Sequence, residues 1–278
     1  MLKLMYITNK PAVAQIAENA GVDWIFVDME FIGKESRQGG LDTVQNHHTH
    51  EDIRNIKSVL TKAKVLVRVN PVHNNLPDYM SSEREIDLAI ESGADIIMLP
   101  FFKTEEEVTA FVKLVNGRAK VCLLLETPEA VSIIDDILAV DGIDMIHIGL
   151  NDLHLAMGKK FMFELLSDGT VDAICEKIRR AGIQYGFGGL ATLAGGAVPG
   201  HMILKEHYRL GSQQVIVSRS FCNTDLIPSL EDAKDIFEKG IAEIRNYEQE
   251  IMAATPKSFE ENRLAVAEAV KTVVNGMK

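Results

Sequence analysis

The sequence has few cysteines, a shortage of basic residues and no long apolar run. Its three cysteines, Cys122, Cys175 and Cys222, are widely spaced and form no C-x-x-C motif, which argues against a disulfide framework and against a thiolate zinc site. No run approaches the roughly 18 apolar residues of a membrane span, and the N-terminus becomes polar too early for a secretory signal. We therefore expect a cytoplasmic protein with no membrane partner.

The charge balance is acidic, because 29 Lys and Arg oppose 40 Asp and Glu, a net charge of −11 before histidine is counted. This excess argues against a nucleic-acid partner, since such a partner requires a cationic surface. The 278 residues, 46% of them hydrophobic, suit a folded chain, and single α/β barrels commonly occupy about 250 residues. The composition thus favours an ordinary folded protein with a sizeable core.

Short β-branched runs alternate with helical patterns, which is typical of repeated βα units and a parallel sheet. Eight strands are predicted, at Lys3–Ile7, Trp24–Asp28, Val65–Val69, Asp95–Leu99, Val121–Leu125, Asp144–Ile148, Gln184–Phe187 and Gln214–Val217. A doubly wound open sheet would also alternate, but eight units without a convincing nucleotide-binding first turn favour an α/β fold of the (β/α)8 TIM-barrel type.

The last fifty or so residues exceed what one closing helix needs. We therefore predict a barrel core over residues 1–228, and a closing helix with a C-terminal helical tail over residues 229–278. The tail either belongs to the same domain or forms a contact between subunits of a homo-oligomer. Helix starts are predicted by three capping motifs, Thr49-x-x-Asp52, Ser82-x-x-Glu85 and Thr104-x-x-Glu107.

Polar residues follow four predicted strands, at the end of a barrel where active sites form. Strand two ends in Asp28 and Glu30, strand three carries Arg68, strand five leads to Glu126, and strand six leads to Asp152. Glu126 and Asp152 supply hard oxygen ligands without a nearby cysteine or H-x-x-x-H motif, which suits Mg²⁺ or Mn²⁺ better than zinc. Alternatively, Glu126 only assists the next helix and Asp152 only forms a turn.

Four segments together resemble the HpcH/HpaI aldolase and citrate lyase family. They read DWIFVDME at 23–30, VRVN at 67–70, LETPEA at 125–130 and IGLNDL at 148–153, and their order and spacing match the family from strand two to strand six. The resemblance implies a lyase that uses a divalent metal to cleave or form an aldol bond between pyruvate, or a related 2-oxo acid, and an aldehyde.

The resemblance also implies roles for individual residues. Glu126 and Asp152 would bind the metal, and Arg68 would contact the substrate oxygen. The substrate carboxylate would lie at the turn formed by Gly149, Leu150, Asn151 and Asp152. These roles suit the chemistry, since breaking a C–C bond beside a ketone develops enolate charge that a cation and a fixed guanidinium stabilise.

One position departs from the family pattern. Aldolases of the family usually carry a histidine directly after the strand-two glutamate, and here that position is Phe31. His48, just before the second helix, is a candidate replacement base because imidazole titrates near neutral pH, and Glu30 and Asp28 are further candidates. A histidine at a helix start can equally be solvated or hydrogen-bonded structure.

Further cations are predicted near the barrel mouth. Lys34 and Arg37 in the loop after strand two either contact an anionic second substrate or are solvated. Arg219, just past strand eight, pairs either with a carboxylate or with Asp225. Two alternative functions stay open: a citryl- or malyl-CoA type lyase, and a catalytically weak barrel that binds an oxo acid after losing its base.

Overall fold

The structure, a computed structural model, describes residues 1–33, 48–224 and 226–277. Eight parallel strands close into a barrel in which each strand pairs with the next and β8 pairs with β1. The strands are β1 (Lys3–Ile7), β2 (Trp24–Asp28), β3 (Lys64–Arg68), β4 (Ile96–Leu99), β5 (Lys120–Leu125), β6 (Met145–Ile148), β7 (Gln184–Leu190) and β8 (Gln214–Val217). The predicted (β/α)8 barrel is confirmed.

Helices surround this barrel. They are α1 (Pro11–Ala20), α2 (His50–Val59), α3 (Ser82–Glu91), α4 (Glu105–Val115), α5 (Pro128–Ser132), α6 (Ile134–Leu138), α7 (Leu150–Ala156), α8 (Glu164–Ser167), α9 (Thr170–Arg180), α10 (Gly200–Leu210), α11 (Leu230–Met252) and α12 (Pro256–Gly276). Across the described ranges, none of them is long and apolar enough to cross a membrane.

The strands are mostly apolar because a barrel strand buries both of its faces, and polar residues lie mainly at their two ends. One face fills the barrel interior with side chains such as Phe26, Leu66 and Met98, and the other packs against the helices. This packing fixes the register between strands, which sets Asp28 directly beside Arg68. Two site residues are therefore neighbours through strand pairing alone.

The helix starts follow the predicted motifs in two cases out of three. Thr49 and Thr104 both form capping boxes. The expectation for Ser82 is wrong, because Ser81 caps α3 by accepting a hydrogen bond from the Arg84 amide. Glu85 is instead fully buried and accepts a hydrogen bond inside the protein.

The C-terminal helices pack on the barrel of their own chain. On α11, Glu248 accepts a hydrogen bond from the Leu2 amide at 2.7 Å, which joins the closing helix to the first strand. On α12, Asn262 donates to the buried Glu206 of α10 at 2.8 Å. Helix α12 also packs against α8, in the segment between β6 and α9. The division of the chain at residue 228 stays a prediction.

Candidate active site

The carboxyl ends of the strands surround a cavity of about 430 Å³. Every predicted site residue except Glu30 lines it: Asp28, His48, Arg68, Glu126, Gly149, Leu150, Asn151 and Asp152. Glu30 lies just outside the lining and is completely buried. Active sites of α/β barrels are built at this end of the strands, so the cavity is the candidate active site.

An ion cluster joins the ends of β2 and β3. The Arg68 guanidinium donates through Nε to Asp28 Oδ1 and through Nη2 to Oδ2, each at 2.8 Å, and Nη1 lies 3.3 Å from Glu30 Oε2. The side chains of Asp28, Glu30 and Arg68 are only 1%, 0% and 14% exposed. The bidentate geometry fixes the guanidinium at the cavity wall.

The Arg68 side chain stays protonated. Burial acts to lower its pKa, but the attraction of Asp28 and Glu30, the hydrogen bonds to Asp28, and the more distant charge of Glu126 together raise the pKa above its ordinary value. Arg68 is therefore a permanent cation beside the carboxylates of Asp28, Glu30 and Glu126.

A buried amide holds the chain after β2 in place. Asn70 Oδ1 accepts the amide hydrogens of Phe31 and Ile32, each at 2.9 Å, and its Nδ2 donates to Glu85 Oε1 at 2.7 Å. Phe31 does not line the cavity, and its ring packs edge-on against Tyr79 at 4.8 Å. Sequence reasoning missed Asn70, although it belongs to the VRVN segment that carries the family resemblance.

His48 reaches the cavity from the start of α2. The Thr49 capping box fixes the entry of the chain, and the Asp28 amide donates to His48 Nδ1 at 3.0 Å. In the neutral ring this bond places the proton on Nε2, since Nδ1 is the acceptor. Neither nitrogen then offers a lone pair to a substrate, which favours His48 as a hydrogen-bond donor over a base.

Glu126 is held at the end of β5 by two local features. Its Oε1 accepts the Phe101 amide hydrogen at 3.1 Å, and its side chain is almost fully buried. A Cβ on residue 149 would lie 2.8 Å from Glu126 Oε2, so the glycine there leaves the space that this carboxylate occupies. A side chain at position 149 would thus collide with the Glu126 carboxylate in its present position.

Asp152 follows in the first turn of α7. Its Oδ1 accepts a hydrogen bond from Asn151 Nδ2 at 3.2 Å, and no side chain caps the helix that begins at Leu150. Within the described ranges, no group of three or more His, Cys, Asp or Glu side chains is arranged to hold a metal. Two carboxylates are nevertheless a sufficient protein contribution for Mg²⁺, which commonly keeps water and substrate oxygens as its other ligands.

His147 on β6 also lines the cavity. Burial lowers its pKa to about 4, and the positive charge of Arg68 adds to this effect against the opposing hydrogen bond to the Gly188 carbonyl at 3.2 Å. His147 is therefore neutral near pH 7.

The opposite wall of the cavity comes from β8 and β1, and sequence reasoning largely missed it. Thr8, Asn9 and Lys10 follow β1 directly, and Ser218 and Arg219 follow β8. The strand-end criterion that singled out Glu126 would have found the first three. The other predicted cations, Lys34 and Arg37, lie outside the described residues, as does Asp225, the suggested partner of Arg219.

Comparison with known proteins agrees with this architecture. A hydroxypyruvate/pyruvate aldolase of Roseovarius nubinhibens is 24% identical over 160 residues, which cover 53% of this chain and 61% of that protein, less than two thirds of its length. A hydroxypyruvate/pyruvate aldolase of Delftia acidovorans is 25% identical over 205 residues, which cover 70% of this chain and 71% of that protein.

Solved structures share the fold at lower identity. A crystal structure of an HpcH/HpaI aldolase/citrate lyase family protein from Burkholderia cenocepacia J2315 superposes with a TM-score of 0.61 at 16% identity, over 84% of this chain and 94% of that one. The model of the HpcH/HpaI aldolase/citrate lyase family matches residues 3–196, which include all four segments on which the resemblance was based. This chain therefore belongs to the HpcH/HpaI aldolase/citrate lyase family.

Proposed function

We propose that this protein is a carbon–carbon lyase that makes or breaks an aldol bond between a pyruvate-like 2-oxo acid and an aldehyde, with Mg²⁺ or Mn²⁺ as cofactor. The observation that carries the proposal is the presence of Glu126, Asp152 and Arg68 on the wall of one cavity. The names of the two aldolase relatives support the same class of substrate.

Glu126 and Asp152 would hold the metal, since both are oxygen donors and both line the cavity. When bound, a divalent cation supplies Lewis-acid stabilisation of an enolate oxygen. Arg68, on the wall of the same cavity, would also stabilise the negative charge of the enolate oxygen. Asp28 accepts two of its five N–H groups, so the guanidinium keeps donors for the keto oxygen.

The carboxylate of the 2-oxo acid would lie against the turn of Gly149, Leu150, Asn151 and Asp152. The backbone amides at the start of α7 have no side-chain cap, and they lie beside the proposed metal ligand Asp152. In this position the methyl carbon of pyruvate would face the rest of the cavity.

One proton is removed and one is added in each turnover. In the synthetic direction C3 of the 2-oxo acid loses a proton and attacks the aldehyde carbon. This forms the C–C bond, and the aldehyde oxygen gains a proton. Cleavage reverses each step. His48 would donate a hydrogen bond from Nε2 to the oxygen derived from the aldehyde, because Nδ1 is occupied by the Asp28 amide.

Asp28 and Glu30 stay candidates for the proton acceptor. Asp28 lines the cavity and Glu30 does not, which favours Asp28. Both oxygens of Asp28 accept hydrogen bonds from Arg68, so a proton would have to bind at one of the lone pairs that Arg68 does not use.

The candidate proton acceptors are already engaged in hydrogen bonds within the protein. This favours a second candidate function, a catalytically weak barrel that binds a 2-oxo acid. His48 and Asp28 are both committed to hydrogen bonds, and Phe31 lies outside the cavity lining. Such a protein would bind pyruvate in the presence of metal without exchanging its methyl protons.

Proton exchange separates the two candidates. Incubation with pyruvate and Mg²⁺ or Mn²⁺ in D₂O, followed by NMR of the methyl group, should show enzyme-dependent loss of the proton signal. Metal-dependent binding of pyruvate without exchange would support the binding protein and contradict the lyase.

The metal ligands are tested by Glu126→Gln and Asp152→Asn. Each variant should lower the exchange rate about a hundredfold or more, as expected for loss of charge stabilisation at the reacting oxygen, and should weaken Mn²⁺ binding measured by electron paramagnetic resonance. Glu129→Gln is the matched control, because Glu129 is exposed and pairs with Lys103 outside the cavity. Unchanged Mn²⁺ affinity in both variants would show that the ligands are assigned wrongly.

We also infer a homo-oligomer built through the C-terminal helices. Leu230, Met252 and Leu264 on α11 and α12 remain 53%, 54% and 55% exposed in the single chain. Light scattering should give a mass above 30.8 kDa, and Leu264→Glu should reduce it. Truncation of α12 is a poorer test, because it would also remove the contact between Asn262 and Glu206.

A further inference from the structure

The chain that leaves β2 is anchored on both sides of Glu30. On one side, the amide of the preceding residue donates to the Arg68 carbonyl at 2.9 Å, which continues the pairing of β2 with β3. On the other side, the amides of Phe31 and Ile32 both donate to Asn70 Oδ1, each at 2.9 Å. The first anchor is made by the backbone alone, whereas the second requires one side chain. The position of Glu30 therefore depends on Asn70.

Glu30 in turn completes the contacts of the Arg68 guanidinium. Asp28 accepts from Nε and Nη2, and the third nitrogen, Nη1, lies 3.3 Å from Glu30 Oε2. Strand pairing places Asp28 directly, because this residue is the last of β2, but Glu30 lies two residues beyond the strand. The contact at Nη1 is thus the one that a shift of the chain after β2 would alter.

A buried carboxylate on α3 sets the orientation of the Asn70 side chain. Glu85 Oε1 accepts hydrogen bonds from Asn70 Nδ2 at 2.7 Å, from the Asn70 backbone amide at 3.2 Å and from the Tyr79 hydroxyl at 3.1 Å. An oxygen that accepts from three donors faces the nitrogen of the Asn70 amide group, since that nitrogen can only donate. Asn70 Oδ1 is consequently turned toward the two backbone amides after β2.

Glu85 is not needed where it lies for the start of its helix. Ser81 caps α3, and Glu85 is fully buried. Burial raises the pKa of Glu85, and the hydrogen bonds from Asn70 and Tyr79 and the charge of His73 oppose this effect. A buried carboxylate is costly unless its oxygens are hydrogen-bonded, so Glu85 and its donors are held together as a unit.

We propose that Asn70 and Glu85 are positioning residues for the reaction, which hold Glu30 against Nη1 of Arg68 and thereby fix the guanidinium where the enolate oxygen forms. This inference rests on the proposed aldolase function, in which Arg68 stabilises that oxygen. Neither Asn70 nor Glu85 lines the cavity, so both act through Glu30 rather than on the substrate.

Loss of this support should affect the chemical step more than substrate binding. Pyruvate would be held by the metal and by the turn at Gly149, neither of which involves Asn70. The guanidinium stabilises charge that develops only as the enolate forms, and such stabilisation depends on a donor that is fixed in advance. We therefore expect a change in kcat with little change in KM for pyruvate.

Asn70→Ala tests this expectation. The variant removes the acceptor of two amides but leaves Glu85 the hydrogen bonds from the Tyr79 hydroxyl and from the amide of residue 70. With Mn²⁺, kcat for exchange of the pyruvate methyl protons should fall about 10- to 100-fold, the effect of a small displacement of a reacting group, with KM changed less than about threefold. Asn74→Ala is the matched control, because Asn74 is an exposed asparagine of the same loop outside the cavity. Wild-type kcat in Asn70→Ala, or a change in KM alone, would overturn the proposal.

A reversed pair separates the hydrogen bonds from a general loss of packing. In the double variant Asn70→Asp with Glu85→Gln, the new carboxylate can accept both from the two backbone amides and from the new side-chain amide. It should recover most of the kcat that Asn70→Ala loses. A folded double variant with a kcat as low as that of Asn70→Ala would contradict the proposal.

A double-mutant cycle shows whether Asn70 acts through Glu30. In the Glu30→Gln background, Asn70→Ala should lower kcat by less than about threefold, whereas its effect on urea unfolding should persist in both backgrounds. The same loss of kcat in both backgrounds would mean that Asn70 acts by another route.

The Nε hydrogen of Arg68 reports its position without turnover. In nitrogen-15 labelled protein free of pyruvate, this hydrogen, which is bonded to Asp28, should give a slowly exchanging NMR signal that Arg68→Lys removes. Asn70→Ala should speed its exchange with water at least about tenfold. If this is found but the wild type does not exchange pyruvate protons, the aldolase function fails and the positioning of Arg68 stands. If the wild type exchanges pyruvate protons while neither kcat nor this signal responds to Asn70→Ala, the positioning role fails and the aldolase function stands.

Discussion

The two walls of the barrel mouth differ in how their charges are held. On the β2–β3 side, Asp28 and Glu30 are buried and pair with Arg68, which is only 14% exposed. On the β8–β1 side, Lys10 and Arg219 are exposed. Stabilisation of an enolate requires charges fixed before the reaction begins. Solvent screens the exposed cations of the β8–β1 side, so their charges act more weakly on a bound group.

The largest expected effect is on stability. Arg68→Met leaves Asp28 and Glu30 buried without their cation, so the free energy of unfolding should fall by about 3–5 kcal/mol in urea titrations. Arg219→Met should change it by less than about 0.5 kcal/mol, as is usual for exposed positions. Equal losses in the two variants would abolish the distinction between the walls.

The second largest expected effect is a loss of folding stability at acid pH, which arises from the buried His147. The pKa of His147 is lowered to about 4 by burial and by Arg68, so the unfolded chain, in which the pKa is near 6.5, binds this proton first as the pH falls. The folded state therefore has its full stability above about pH 6.5 and loses it toward pH 4. At about 1.4 kcal/mol per pH unit the loss amounts to about 3 kcal/mol.

This loss is measured as the free energy of unfolding at pH 7 and pH 4.5. His147→Gln keeps a donor for the Gly188 carbonyl but removes the titrating ring, so its stability should decline less between the two values. His201→Gln is the control, since His201 is exposed on α10. A pH dependence in His147→Gln as steep as in the wild type would contradict the assignment.

The smallest effect concerns His48. In His48→Asn the amide oxygen can still accept the Asp28 amide hydrogen, but no donor remains at the position of Nε2. Aldol turnover should fall roughly tenfold, the value of one hydrogen bond, with the shape of the pH profile between 5.5 and 8.5 unchanged. Loss of a limb of that profile would show that His48 acts as a base.

The candidate site could be predicted in part because strand ends are visible in sequence. Glu126 and Asp152 each follow a short apolar run, and Arg68 lies within one. Asn70 and Glu85 could not be assigned, because their hydrogen bond depends on how α3 packs against the end of β3. Glu85 had a plausible local explanation as a capping acid, which the cap at Ser81 and the burial of Glu85 contradict.

The amino-acid sequence by itself determined the barrel, since alternating apolar strands and amphipathic helices are local periodicities, and it placed carboxylates and Arg68 at strand ends. The tertiary structure decided how those residues are used. Strand register put Asp28 beside Arg68, and the Asp28 amide set the proton of His48 on Nε2. Barrel closure placed Arg219 on the same cavity as the chain that follows β1. Each of these arrangements joins residues far apart in the chain, and only packing of the closed sheet brings them together.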